Sequence, residues 1–496
     1  MTDAALADLK ERISEIHDLD RAASLLGWDQ QVKMPPGGGD VRAEQLATLE
    51  RIAHEALTSD EIGRLLDKLA PLEDALDYDS DEASLIRIVR RDWEKARRVP
   101  AELRAEMSRA ASLAMPVWVQ ARQEQDFSQF LPALRRNFDL RRRYVECFDD
   151  YDEPYDVLLD DFEPGMKTAE VRAVFERLKQ EQVPLVAAVR ETGERPVRGV
   201  VFPLAGQQAF ELEVIERFGF DASEWRLDTA VHPFAASIAT TDIRLTTRYF
   251  DDNLDGLFGT MHECGHGLYE HGVARELERT PLAHGASLGL HESQSRMWEN
   301  MVGRSLPFWH HFYPQLQQTF PDALDAVELA DWYRSVNWVE PSLIRVEADE
   351  ATYNLHIILR FELEQELLAD SVELEELPEV WNQRMRDYLG VMPPDDALGV
   401  LQDMHWAVGA IGYFSTYALG NVISGQLWEQ VTAAIPDLDA QFEQGEFGAL
   451  AGWLQENLWR HGRKYLPSEL IQRTTGGGLD PEPYLRYLRG KYPLAT

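Results

Sequence analysis

Residues 254–272 read LDGLFGTMHECGHGLYEHG. Leu254, Leu257, Phe258, Met261 and Leu268 recur at three- and four-residue spacings, which predicts a helix with one apolar face. His262 and His266, four residues apart, emerge together beside that face. Two imidazoles on one face suit Zn2+, which takes histidine nitrogens at about 2.0–2.1 Å, and Glu263, next to the first histidine, can reach a metal-bound water as general base. Gly256, Gly259, Gly265 and Gly267 each forfeit ~1 kcal/mol relative to Ala inside a helix. Close backbone approach on this helix would explain them. Cys264 points off the histidine face and reads as a small apolar filler.

A catalytic zinc needs a third protein ligand and an open position. The pattern HExxHxxGxxH fails here, because Tyr269 stands where its Gly should be and Gly272 where its last His should be. The next predicted helix, Ala286 to Val302, offers Glu292 and Glu299, seven residues apart and on similar faces. Spacing leaves both open.

Outward from this point most segments carry the helical period: Ala43 to Ala56, Glu82 to Ala96, Ala101 to Arg122, Ala169 to Val189 and Gln207 to Phe218 before it; Pro307 to Thr319, Pro321 to Ser335, Pro341 to Ala369, Pro378 to Tyr388, Asp395 to Trp406 and Gly409 to Ala434 after it. The exceptions are Trp225 to His232 and Asp242 to Tyr249, rich in Thr, Arg and β-branched or aromatic residues. They flank the turn-like HPFAASIATT and predict a small antiparallel sheet, with Val197 to Phe202 as a candidate further strand. The fold class is therefore mainly α with a minor β element.

The 49 basic and 86 acidic residues sum to a formal charge of -37. This argues against nucleic acid or an anionic membrane as partner, since phosphate binding needs clustered Lys and Arg. Only eight of the basic residues are Lys, and the acidic excess is dispersed, as on the surface of a protein from a salt-rich cytosol; the rival reading is an acidic surface that recruits a basic partner, whose charges would usually stand in blocks. Two cysteines, Cys147 and Cys264, exclude a disulfide framework and favour a reducing interior. The start lacks the apolar run of a signal peptide, so a cytoplasmic location is expected. From Ala407 to Trp428 no charged residue appears over 22 positions. Ser415, Thr416, Asn421, Ser424 and Gln426 within it, and no basic flank, favour a buried helix over a membrane span.

Further motifs stand in order along the chain: Trp28-Asp29-Gln30, His232-Pro233-Phe234, Asp242-Ile243-Arg244-Leu245-Thr246, His291-Glu292-Ser293-Gln294, Ile344-Arg345-Val346-Glu347-Ala348-Asp349 and Gly399-Val400-Leu401-Gln402-Asp403-Met404-His405-Trp406. With HExxH they resemble, nearly end to end, the metallocarboxypeptidases typified by thermostable carboxypeptidase Taq. The resemblance implies one helical catalytic domain over 1–496, with two intimately packed lobes as the alternative, and a deep groove with the small sheet near the active site. It also implies a homodimer that removes C-terminal residues from peptides with broad specificity. It carries over His262, His266 and Glu292 as metal ligands and Glu263 as base, with zinc the default ion and cobalt an alternative.

A carboxypeptidase must hold the substrate's terminal carboxylate, which a bidentate guanidinium does better than Lys. Arg345 is the first candidate, against an i,i+4 pair with Asp349. Arg244 is the second, against a pair with Asp242; the resemblance places it and His232 at the groove end that restricts access. His405 could donate to the developing oxyanion or cap a helix through Asp403. Tyr413 and Tyr417 could supply further oxyanion hydrogen bonds, or be core aromatics. The rival functions are a metal-dependent endopeptidase or oligopeptidase, and a peptide-binding module whose HExxH is inert.

Overall fold

Helical periodicity becomes helix through most of the chain in the computed structural model, which describes residues 2–190 and 194–492. The elements that position the site are α1 (Thr2–Val32), β1 (Trp225–Thr229), β2 (Ala235–Ala239), β3 (Asp242–Thr247), α2 (Asp255–Gly272), α3 (Leu288–Arg296), α4 (Tyr353–Leu368) and α5 (Ser415–Ala434). The class is mainly α with one three-stranded sheet, as the sequence predicts.

Apolar residues gather in two cores. The smaller unites Leu9, Ile13, Leu65, Leu69, Ile86 and Val89 with Val273, Leu277 and Leu282, so the N-terminal helices close over the chain that follows α2. The larger runs from Val99 to Tyr492 and encloses α2, α3, α4 and α5. The uncharged stretch supplies most of α5, where Leu419, Val422, Ile423 and Leu427 are fully buried. No helix among the described residues is long and apolar enough to cross a membrane.

The sheet departs from expectation. Its order is β1-β3-β2, with β1 parallel to β3 and β2 antiparallel to β3. The segment expected as a turn, AASIA at 235–239, is itself the strand β2. Its alanines have low β propensity; packing against α1 and α2 overrides that. Residues 197–202 form no strand.

Three expected helices also break. Pro321 to Ser335 divides into Pro321–Leu324 and Leu329–Val336. Of Pro341 to Ala369 only α4 is an α-helix, and Arg345–Glu347 is a single 3-10 turn. Here Asp349 accepts the N–H groups of Glu340, Ala351 and Thr352, and the Arg345 N–H donates to the Gln402 side chain at 2.9 Å. Asp395 to Trp406 forms no helix either: Asn137 donates to the carbonyls of Trp406 and Ala407 at 2.8 and 2.9 Å. In both segments side chains take the backbone partners that a helix would have used. The start of Gly409 to Ala434 shortens likewise, α5 beginning at Ser415.

Candidate metal and catalytic centre

The glycines of α2 explain how it approaches its neighbours. A Cβ on Gly265 would stand 2.6 Å from the Gln294 carbonyl oxygen and 2.7 Å from Ser295 Cα, so α2 and α3 cross backbone to backbone there. Gly256 likewise meets backbone, the Arg248 carbonyl, and Gly267 meets the Trp225 ring, whereas Gly259 has no atom within 4 Å and is not accounted for by packing. On the other side of α3, a Cβ on Gly420 of α5 would lie 2.6 Å from Glu292 Cβ. Glu292 is thus wedged between two helices and is 5% exposed.

This crossing brings the Nε2 atoms of His262 and His266 each to 3.5 Å from Glu292 Oε2. Ligand atoms about 2.0–2.1 Å from a tetrahedral zinc stand roughly 3.3–3.4 Å apart, so these three donors fit such an ion. His262, His266 and Glu292 are also the one group of His, Cys, Asp and Glu among the described residues whose donor atoms converge tightly enough to hold a cation. Burial pushes His266 down to about 4, which keeps its ring in the neutral form a metal takes. Burial also opposes charge on His262, yet Glu292 and Glu299 raise it to about 10; the carboxylates that favour a proton there favour a cation equally.

Glu299, the alternative third donor, faces the other nitrogen: its Oε2 is 2.9 Å from His262 Nδ1. After Arg296 the helix continues as a π-helix over Met297–Val302, so the seven-residue spacing no longer keeps Glu299 beside Glu292. Arg296 donates to Glu292 Oε1 at 2.7 Å, while Oε2, which accepts from Ser295 Oγ at 3.1 Å, faces the histidines. Glu263 is 8% exposed, and burial pushes its carboxyl up to about 7, near where a general base exchanges protons at neutral pH. Cys264 is fully buried among apolar side chains, as a filler would be.

Arg345, His405, Tyr413 and Tyr417 come together beside this cluster. His405 Nε2 lies 3.2 Å from the Tyr417 hydroxyl, the Tyr413 and Tyr417 rings are 5.3 Å apart, and the Arg345 guanidinium sits 4.8 Å over Tyr417. Burial raises both phenols, so each keeps the proton it would donate, and burial lowers His405 to about 4. Arg345 does not pair with Asp349. Its Nε and Nη2 donate to Asp403 Oδ1 at 3.1 and 2.9 Å, and its Nη1 to the Tyr353 hydroxyl at 3.0 Å. Asp403 Oδ2 accepts from Arg360 Nε at 2.7 Å, so two buried guanidiniums share one carboxylate.

Arg244 and His232 stand apart. Arg244 forks onto Asp242 with both contacts at 2.9 Å and lies 4.4 Å over Trp28 of α1, while His232 is exposed before β2. Neither makes a hydrogen bond, ion pair or ring contact with the His–His–Glu cluster among the described residues. The motifs they belong to bond each other: the Phe234 N–H donates to Thr246 Oγ1 at 2.7 Å, and the Thr246 N–H donates to the Phe234 carbonyl at 3.0 Å.

Sequence reasoning missed four supporting residues: Arg296, Tyr353, Glu270 and Glu163. Arg296 and Glu270 were findable, each four residues after a proposed ligand on its helix face. Glu163 carries no local signal. It is fully buried, accepts the Gly289 N–H at the start of α3, and is pushed up to about 8 by burial.

Known proteins resemble this chain over nearly its whole length. Residues 8–492 match the family described as Carboxypeptidase Taq (M32) metallopeptidase. Thermostable carboxypeptidase 1 of Thermus thermophilus is 41% identical, covering 99% of this chain and 98% of its own; carboxypeptidase 1 of Bacillus subtilis is 38% identical, covering 98% and 97%. The crystal structure of the M32 carboxypeptidase from Deinococcus radiodurans R1 superposes with a TM-score of 0.95 at 40% identity, covering 99% of each chain. The chain belongs to the carboxypeptidase Taq (M32) metallopeptidase family and is a metallocarboxypeptidase.

Proposed function

We propose that this metallocarboxypeptidase releases the last residue of peptides with broad specificity, using His262, His266 and Glu292 to hold zinc and Glu263 as general base. The convergence of two Nε2 atoms and one carboxylate oxygen at 3.5 Å, beside the buried Glu263, carries the reading. When bound, the ion supplies Lewis acidity to the carbonyl of the bond to be cut and acidifies water. Glu263 takes the proton of the attacking water on a carboxylate oxygen and hands it to the departing amine. Tyr413, Tyr417 and His405 serve as donors to the developing oxyanion; their clustering around Arg345 supports this reading. Arg345 and Arg360 share the single charge of Asp403, and the remaining positive charge draws the substrate's terminal carboxylate. Arg244 and His232 act farther out, on substrate length. The reading extends to a homodimer in a salt-rich cytoplasm, on the family resemblance and the charge of -37.

The test is Glu263→Gln together with blocked substrates. The variant should retain one zinc per chain and lose turnover, and the native enzyme should leave C-terminally amidated peptides intact. Full activity in Glu263→Gln refutes the base assignment. Equal cleavage of amidated and free peptides makes the enzyme an endopeptidase or oligopeptidase.

A further inference from the structure

The two histidines are held from behind by different devices. His262 Nδ1 meets a carboxylate directly, in Glu299. His266 Nδ1 instead lies 2.9 Å from Nδ1 of His291, and His291 Nε2 lies 2.8 Å from Glu270 Oε1. With His266 Nε2 turned toward a cation, one proton arrangement satisfies the chain: His266 Nδ1–H donates to His291 Nδ1, and His291 Nε2–H donates to Glu270.

The chain is built, not incidental. A Cβ on Gly285 would come within 2.6 Å of His291 Cδ2, and the Tyr269 ring packs on the imidazole from 5.0 Å, so His291 has little room to turn. Glu270 is anchored by the Gly285 N–H at 2.9 Å, with His284 Nδ1 at 3.3 Å and Arg21 Nη2 of α1 at 3.9 Å. Although burial opposes it, His284 and His291 hold the Glu270 carboxyl well below its usual range. Arg21 also donates to the carbonyls of Ser237 and Ala283, so the N-terminal helix, the sheet and α2 meet at this carboxylate.

We propose that His291, held by Glu270, is a positioning residue that fixes the tautomer and direction of His266 and so strengthens metal retention. This rests on the reading that His262, His266 and Glu292 hold the ion. Outer partners of this kind typically change metal affinity 10–100-fold.

The experiment titrates zinc against a chromophoric chelator in native protein, His291→Leu, His291→Asn and Glu270→Gln, with melting of the metal-free proteins alongside. In His291→Leu the His266 proton loses its acceptor, and zinc affinity should fall roughly 10–100-fold. Asn places an acceptor where Nδ1 was and should restore affinity to within about threefold of native; Glu270→Gln, which keeps the hydrogen bond without the charge, should lose about 3–10-fold. Cobalt-loaded His291→Leu should show displaced visible bands, a change that a purely structural role would not produce. Affinity within twofold of native in both His291→Leu and Glu270→Gln overturns the proposal, as does a loss that Asn does not restore. Should His291→Leu not fold, an unchanged Glu270→Gln overturns it alone. Native protein that binds no zinc would instead overturn the metal site itself.

Discussion

Replacing Gly265 by alanine tests whether the crossing of two helices, and not helix propensity, governs the metal centre. Inside a helix, Gly to Ala stabilises by ~1 kcal/mol. At Gly265 the new methyl would stand 2.6 Å from the Gln294 carbonyl oxygen and 2.7 Å from Ser295 Cα, so α2 and α3 must part by roughly 0.8 Å to reach ordinary contact. Overpacking of this kind costs about 1–3 kcal/mol, so the balance is a loss of about 0–2 kcal/mol. With an unfolding entropy of about 2.1 cal/mol/K per residue, each kcal/mol moves Tm of this chain by about 1 °C. The expected fall is therefore up to about 2 °C. The larger effect is on the site, because Gln294 and Ser295 follow Glu292 on the helix that must move. A separation of that size should weaken zinc binding at least about tenfold and reduce kcat/KM by up to about 100-fold. Gly259 is the internal control: nothing lies within 4 Å of its Cβ position, and Gly259→Ala should raise Tm by about 1 °C with metal affinity unchanged. Scanning calorimetry and a zinc competition titration read both. Equal stabilisation of the two variants, with native zinc affinity in Gly265→Ala, would refute the reasoning.

Three further outcomes follow from the buried charges and the surface. Asp403→Asn leaves Arg345 and Arg360 without a counter-ion, which should cost about 3–5 kcal/mol and lower Tm by about 3–5 °C. Although burial opposes it, the two arginines hold the Asp403 carboxyl well below its usual range. Its stabilisation is therefore present above the unfolded value near 4 and is lost as pH falls further, so variant and native melting should converge in strong acid; a gap that is constant with pH would contradict this. Glu364 behaves oppositely: burial pushes it up to about 7 despite hydrogen bonds from Tyr155, Trp406 and the Gly412 N–H. Protonated Glu364 favours the fold, and this contribution fades as pH rises from about 4.5 to 7; relative to Glu364→Gln, which does not titrate, native protein should lose on the order of 2–3 kcal/mol across that window, and a flat difference in Tm would refute it. Finally, the charge of -37 repels a carboxylate-bearing peptide at low salt. Near 1 M salt the Debye length is about 3 Å, so kcat/KM should rise with salt from a low start, and a flat profile in folded protein counts against the account.

Much of the centre was legible in one dimension because it obeys helical geometry. Residues four apart share a face whatever surrounds the helix, so LDGLFGTMHECGHGLYEHG specified a helix with His262 and His266 side by side and Glu263 adjacent. Apolar periodicity likewise marked most helices and the buried course of α5, since burial of one face leaves its imprint on spacing. Where the chain is held by partners distant in sequence, the pattern failed. The segment around Arg345 carries a helical pattern, yet Gln402 and Asp349 take its backbone hydrogen bonds. The alanines of β2 look like a turn until α1 and α2 cover them.

The choice between Glu292 and Glu299 shows the division most sharply. Both occur at suitable spacing; the polar neighbours of Glu292 and the family resemblance favour it, but neither says where its oxygens point. The π-turn after Arg296 and the contact of Gly265 with Gln294 send Glu292 Oε2 toward both Nε2 atoms and Glu299 toward Nδ1 of His262. Sequence determined which chemistry this chain can perform, because residue type and helical spacing are local properties. Only the tertiary structure decided which carboxylate meets which nitrogen, because that depends on how closely separate helices can approach, and here glycines set that approach.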